Sequence, residues 1–214
     1  MSPALKRTRR IVVLCEGKTE DLAVRYFVTR QWEADDLAHV GLDRVDLRGH
    51  LDRVGVFATN YLDEVNVLAV FTLVDLQGMT LVSHPPNDEL DARVRRVQDW
   101  LRNEVHQHQR AEDFFPHVSV HQVEAWIIAE GTALSERLRD PSVEPDPNAE
   151  SKNFQNPPAE RMNYLFRRSK LKRRYQKIED GQPLFSKMEF QPVYDSCPYF
   201  RKFYDDLKTA ATRQ

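Results

Sequence analysis

Cysteine is nearly absent: the 214 residues carry only Cys15 and Cys197. Two distant cysteines make neither a disulfide framework nor a zinc pattern. Cys15 sits in an apolar run and reads as a small buried hydrophobe. Long apolar runs are also missing. The longest, VNVLAVFTLV at 65–74, is far too short to span a bilayer. The basic opening MSPALKRTRR meets only IVVLC before Glu16, too short a core for a secretory signal. These absences place the chain in the cytoplasm as an expectation. Net charge is almost nil, at −2, so global charge names no partner. GxGxxG, GxxxxGK[ST] and GxSxG are all absent, which removes the signals for a dinucleotide fold, a Walker A site and a nucleophile elbow. The histidines are scattered. His106 and His108 are two apart and on a helix point to different sides, and His117 and His121 flank a short strand and read more readily as surface or packing residues than as one that reaches a site. No internal repeat and no low-complexity segment is visible.

Hydrophobic residues make up 41% and charged residues 30%, and the length fits one domain with an extension. Residues 11–15, IVVLC, read as a buried parallel strand ending at Glu16-Gly17. Thr19 is placed to cap a helix from Glu20 to about Trp32, with Leu22, Ala23, Tyr26 and Phe27 at helical spacing. A second strand is expected at 43–48 and a helix at about 50–62. The strongest strand, at 65–74, ends at Asp75, and Leu76-Gln77-Gly78 turns out of it. A long helix is expected from Asp88 to about Gln109, then a short strand at 117–120 and a helix at 122–130. This alternation predicts an α/β fold, with a parallel sheet of about four strands and helices on both faces. The expected division is an α/β domain over 1–139, a proline-rich loop and candidate lid at 140–158, and a helical extension of two or three short helices over 159–214.

In open parallel sheets ligands bind outside the carboxyl ends of the strands. Glu16 and Asp75 each close a strand, and Glu124 follows the fourth by a few residues. Neighbouring strands would make the three carboxylates converge. Hard cations such as Mg²⁺ (or Mn²⁺) take oxygen ligands and keep several waters, so two or three acids suffice. Each acid alone reads more readily as a helix cap or loop residue than as a ligand. Together they mark a candidate metal-binding and catalytic set of Glu16, Asp75 and Glu124.

The run Glu16-Gly17-Lys18-Thr19-Glu20 resembles the EGxTE opening of Toprim domains of the OLD nuclease type and of DUF4276 proteins. FTLVDLQGM resembles that family's strand ending in aspartate. HVSVHQVEAWIIAE resembles its HVQxxExEA block, here with Gln122, Glu124, Ala125 and Trp126. PPAERMNYLF and SCPYFRKFYDDL resemble its C-terminal blocks. The resemblance to DUF4276 covers nearly the whole chain in the right order. It implies a Toprim-like (Rossmann-like) fold, with Glu16 as the first-motif glutamate, Asp75 as the second-motif aspartate and Glu124 as the third acid. Gly17, Lys18, Glu20, Gln77 and Gln122 stand around them as supporting or phosphate-contacting residues. Toprim domains use such acids with Mg²⁺ to cut or join phosphodiesters. The resemblance also implies an ABC- or AAA-type ATPase partner and a role in phage defence. One departure matters: the usual Asp-x-Asp here reads Asp75-Leu76-Gln77, one negative charge fewer.

Residues 164–177, YLFRRSKLKRRYQK, mix bases with aromatics. Read as a helix, they offer Arg167, Arg168, Lys170, Arg173 and Arg174 to phosphates, a candidate nucleic-acid surface. The same run reads equally as a docking face for an acidic partner. Three readings stay open: a Mg-dependent endonuclease on DNA or RNA, a weakened Toprim-like sensor subunit of an ATPase complex, and a nucleic-acid-binding regulator. A homodimer is left open, and no membrane role is expected.

Overall fold

The computed structural model describes residues 9–77, 79–83, 85, 89–151 and 157–213. Most of the basic N-terminus, Gly78 of the turn after Asp75, His84, the expected helix start at Asp88 and the middle of the 140–158 stretch lie outside the described residues.

The β-branched run at the start forms β1 (Arg10–Cys15), flanked by β2 (Gly41–Asp46) and β3 (Val67–Asp75). Next to β3 lie two short pieces, β4 (Phe114–Phe115) and β5 (Val118–Ser119). All pairings are parallel, in the order β2-β1-β3-β4, with β5 continuing alongside β3. The fourth strand position is split because Pro116 has no N–H to give the ladder. Thr72 bridges the break: its hydroxyl accepts from the His117 N–H at 3.0 Å and donates to the His117 carbonyl at 3.1 Å. The expected strand at 117–120 is thus two residues long, and β4 is an addition that the sequence did not signal.

The side chains of β1 and β3 alternate between two cores. Ile11, Val13, Cys15, Ala69, Phe71 and Leu73 face one; Val12, Leu14, Val70 and Val74 face the other. A sheet buried on both faces reads as near-continuous hydrophobics, which is why these strands carry no polar alternation. On the second face lie α3 (Val54–Leu62) and α4 (Leu90–Asn103). On the first lie α1 (Lys18–Ala23), a π-helical segment (Val24–Val28) and α2 (Thr29–Ala34), which together make the helix expected from Glu20. The helix starts earlier than expected: Gly17 is the N-cap and Thr19 lies inside. The expected long helix ends at Asn103 rather than near Gln109, and turns carry the chain on to Arg110.

Arg110 then acts as a latch. Its guanidinium pairs with Asp113 at 2.9 Å and donates to the carbonyls of Leu62 at 2.7 Å and Val67 at 2.9 Å. Those carbonyls are the end of α3 and the start of β3. Arg110→Ala is expected to cost about 2–3 kcal/mol in urea unfolding, because charged hydrogen bonds to part-buried carbonyls disappear without replacement.

After β5 come α5 (Glu124–Glu130) and α6 (Thr132–Leu138). The described part of the proline-rich stretch is anchored into the body. Asp146 donates its N–H to the Ile128 carbonyl and pairs with Arg161. Buried Glu150 accepts the N–H groups of Tyr199 at 2.8 Å and Phe200 at 3.3 Å. Gly131 (φ 68°) has no room for a Cβ, which would stand 2.6 Å from the Pro145 backbone. Four helices close the chain: α7 (Pro158–Arg168), α8 (Lys177–Lys187), α9 (Phe190–Ser196) and α10 (Pro198–Thr212). They bury Phe166, Phe185, Phe200, Phe203 and Tyr204 in the first core. The expected continuous helix across 164–177 is therefore corrected: it stops at Arg168, and residues 169–176 are turns and extended chain. No described helix is long and apolar enough to cross a membrane.

Candidate functional site

Glu16 is the first residue beyond β1 and Asp75 the last of β3, on neighbouring strands. Their ends are tied together: the Asp75 N–H donates to Glu16 Oε2 at 2.7 Å, and the Glu16 N–H to the Leu73 carbonyl at 3.1 Å. The Asp75 carboxylate accepts the Gln77 N–H at 2.9 Å and a hydrogen bond from the Gln122 side chain. Gln77 thus reaches Asp75 through its backbone.

Glu124 arrives by a strained bend. His121 and Gln122 have φ of 59° and 70°, left-handed values unusual for non-glycine residues. This bend turns the chain from β5 straight into α5 and sets Glu124 in its first turn, fully buried. Among the described residues, neither Glu124 oxygen has a well-formed hydrogen bond. Its charged neighbour is Lys177, whose Nζ lies 3.3 Å from Oε1. Glu20, in the first turn of α1, accepts the Gly17 N–H at 3.2 Å and is also buried.

The four carboxylates feel one another. Burial pushes Glu20 up to about 8, and the charges of Glu124, Glu16 and Asp75 add to the shift. Burial also raises Glu16, with a further push from Asp75. Asp75 is raised by burial despite its two hydrogen bonds. Burial raises Glu124 even against Lys177. Burial lowers Lys177, but Glu124 and Glu20 outweigh it and hold the ammonium above its ordinary value. Among the described residues the site is short of positive charge, with four acids facing one half-exposed lysine.

Tyr175 completes the wall. It is buried against Phe166, its hydroxyl has no hydrogen-bond partner among the described residues, and burial with the charges of Glu124, Asp180 and Glu20 raises its pKa. Lys177 and Tyr175 were hidden in the basic run, where nothing in the sequence separated them from their neighbours. Among the five basic residues picked from that run, Arg167, Arg168, Lys170 and Arg174 are exposed, while Arg173 donates to Asp180 at 2.6 and 2.7 Å. Lys18 is paired with Asp21 at 2.5 Å, and Arg44 shares that carboxylate. His117 packs between Phe71 and Phe203 and pairs with Asp206 at 3.0 Å.

The donor chemistry suits a hard cation, since all the acids offer oxygen and the two buried Glu124 oxygens lack well-formed hydrogen bonds. Among the described residues, no three His, Cys, Asp or Glu side chains already stand in ligand geometry.

The model of a family described as a domain of unknown function, DUF4276, matches residues 15–208. The chain belongs to the DUF4276 family. Among solved structures, the C-terminal region of the Burkholderia pseudomallei OLD protein is similar at 16% identity, covering 94% of this chain and 98% of that one, with a TM-score of 0.46. The C-terminal region of the Xanthomonas campestris pv. campestris OLD protein is similar at 15% identity, covering 95% and 99%, with a TM-score of 0.42. No curated protein matches.

Proposed function

We propose that this DUF4276 chain is a Toprim-like, divalent-metal-dependent enzyme acting on phosphodiesters of nucleic acid. The observation that supports this most is the gathering of Glu16, Glu20, Asp75 and Glu124 at the carboxyl ends of parallel strands, with one lysine to balance them. Carboxylates held close in a buried site raise one another's pKa, and a bound cation relieves that cost. Glu16, Asp75 and Glu124 would hold Mg²⁺ or Mn²⁺, which supplies Lewis acidity at a phosphoryl oxygen and a more acidic water.

The remaining roles fall to this chain's own groups. The ion pair of Lys177 with Glu124 sets its ammonium at the site mouth, where it contacts the scissile phosphate as charge builds on the equatorial oxygens. Lys177 fits this role better than Lys18, which Asp21 already neutralises. Gln122 and the Gln77 N–H orient Asp75. The buried Tyr175 hydroxyl is a donor for a water or substrate oxygen in the same wall. A defence role beside an ATPase partner belongs to the same proposal and rests on the family resemblance.

A second reading has its own support. Gln77 stands where a second aspartate is usual, and Lys177 already partners Glu124. Both lower the demand for a cation, as in a sensor subunit that binds nucleic acid without cutting it. Titration calorimetry separates the two. The parent is expected to take up Mn²⁺ or Mg²⁺, and Asp75→Ala to lose it, with cleavage of DNA or RNA abolished in parallel and folding retained. Nucleic-acid binding with no uptake of cation, even when oligonucleotide is present, would favour the sensor.

A further inference from the structure

Beside the acidic site lies a cleft of about 310 Å³, lined by Asp46, Leu47, Arg48, His50, Arg53 and Phe57. Its position follows from the sheet. β2 runs parallel to β1, with Asp46 opposite Cys15; the Leu47 N–H donates to the Cys15 carbonyl at 2.9 Å and the Gly49 N–H to the Glu16 carbonyl at 2.8 Å. The cleft therefore opens one strand over from Glu16, a step of about 4.8 Å.

Its chemistry is opposite to that of the acidic site. Arg48 and Arg53 are exposed, and neither guanidinium forms an ion pair among the described residues. The one acid in the lining, Asp46, is occupied by the Arg48 N–H at 2.8 Å. Asp52 is exposed on the same turn but does not line the cleft. Arg48 is held at φ 52°, a backbone value costly for a side-chain-bearing residue and frequent where a turn serves a ligand. The Arg53 guanidinium stands 5.4 Å from the centre of the half-buried Phe57 ring. Two cations without an acid partner among the described residues, one of them lying over an aromatic ring, are what a phosphate and its base require.

We infer that this cleft is a subsite for one unpaired nucleotide next to the scissile phosphate, with its phosphate on Arg48 and Arg53 and its base against Phe57. The inference rests on the phosphodiester reading of the acidic site and extends it to a substrate class, single-stranded nucleic acid. Four carboxylates repel a phosphodiester, so the flanking phosphates must be gripped away from them. The cleft is at the small end of ligand-sized pockets, which suits one nucleotide rather than a base pair.

The test is anisotropy of short labelled oligonucleotides, single-stranded and duplex, with Ca²⁺ in place of Mg²⁺. The full-length parent is compared with the double variant Arg48→Gln/Arg53→Gln, with Arg53→Gln alone and with Phe57→Leu. Thermal melts check folding, and Arg53→Gln carries the test if the Arg48 turn is disturbed. The double variant is expected to bind single strands about tenfold or more weakly. The slope of log K against log salt should shrink by about 0.7 for each phosphate that the variant no longer grips. Phe57→Leu should weaken single strands several-fold and leave duplex binding unchanged. Calorimetric Mn²⁺ uptake should be the same as in the parent, because these residues touch no carboxylate of the site. If the parent binds single strands and the double variant binds them equally well, the subsite is wrong and the reading of the acidic site stands. If the parent neither binds nor cleaves any oligonucleotide, both fall together.

Discussion

Glu20→Gln and Glu124→Gln should each raise the melting temperature near pH 8 while removing divalent-cation uptake or weakening it severely. Both acids are buried and held above their ordinary pKa, so each ionised form is less favourable folded than unfolded. An unfolded glutamate releases its proton near 4.5, whereas folded Glu20 keeps it to about 8. Between those values the unfolded state binds fewer protons, so stability falls as pH rises through the window. Below about pH 4.5 the penalty is absent. For Glu20 the full span corresponds to at most about 5 kcal/mol. Gln keeps the oxygen that accepts the Gly17 N–H and removes the charge. Melts at about pH 4 and about pH 8 check this: the variants should match the parent at the lower pH and exceed it at the higher. Mn²⁺ should stabilise the parent, more so at the higher pH, because it binds only the folded, ionised site. A Glu20→Gln protein that melts below the parent at about pH 8 would show that the carboxylates do not oppose one another.

Such a pattern of acids that cost stability is what a site kept for ligand binding produces, and it explains what could be read from sequence. Glu16 and Asp75 were legible because each ends a β-branched, apolar run, and a parallel sheet puts such ends side by side. Glu124 was legible only as a residue a few positions past a strand. Its arrival depends on two non-glycine left-handed residues, His121 and Gln122, which no composition rule marks. Glu20 reads as an ordinary first-turn acid, which it also is; its place in the cluster depends on how α1 leaves β1. The strand piece ahead of Pro116 was not legible, and neither was the Thr72 hydroxyl that bridges the break. The basic run misled for a physical reason. A single helix over 164–177 is the natural reading of its basic and aromatic residues, yet the helix ends at Arg168, and beyond it the chain follows a tertiary anchor that sequence spacing does not encode.

That anchor is Asp180, and Asp180→Ala is expected to be among the most damaging single substitutions, costing about 3–5 kcal/mol. The carboxylate is fully buried. It accepts from Arg173 at 2.6 and 2.7 Å, from Arg137 at 2.8 Å and from the Gln176 N–H at 2.9 Å. Removing it strands two arginines and one backbone donor. Burial alone would raise its pKa, but these donors together hold it below the usual value. The sign is therefore opposite to that of the acidic site: the stability it provides is present above the unfolded value near 3.8 and disappears as pH falls through the folded one. Taken together, the two groups put the most stable pH between the acid loss at Asp180 and the alkaline loss at Glu20. Asp180→Ala should flatten the acid limb and leave the alkaline limb in place, as urea titrations across pH would show. The same clamp fixes the segment that carries Tyr175 and Lys177 to the site. Asp180→Asn, which retains a carbonyl for the Gln176 N–H, should lose less stability than Asp180→Ala but still loosen Lys177. If Asp180 acts only as a support of the fold, Asp180→Asn will cleave like the parent once folded. If it positions Lys177, the rate will fall with cation affinity unchanged.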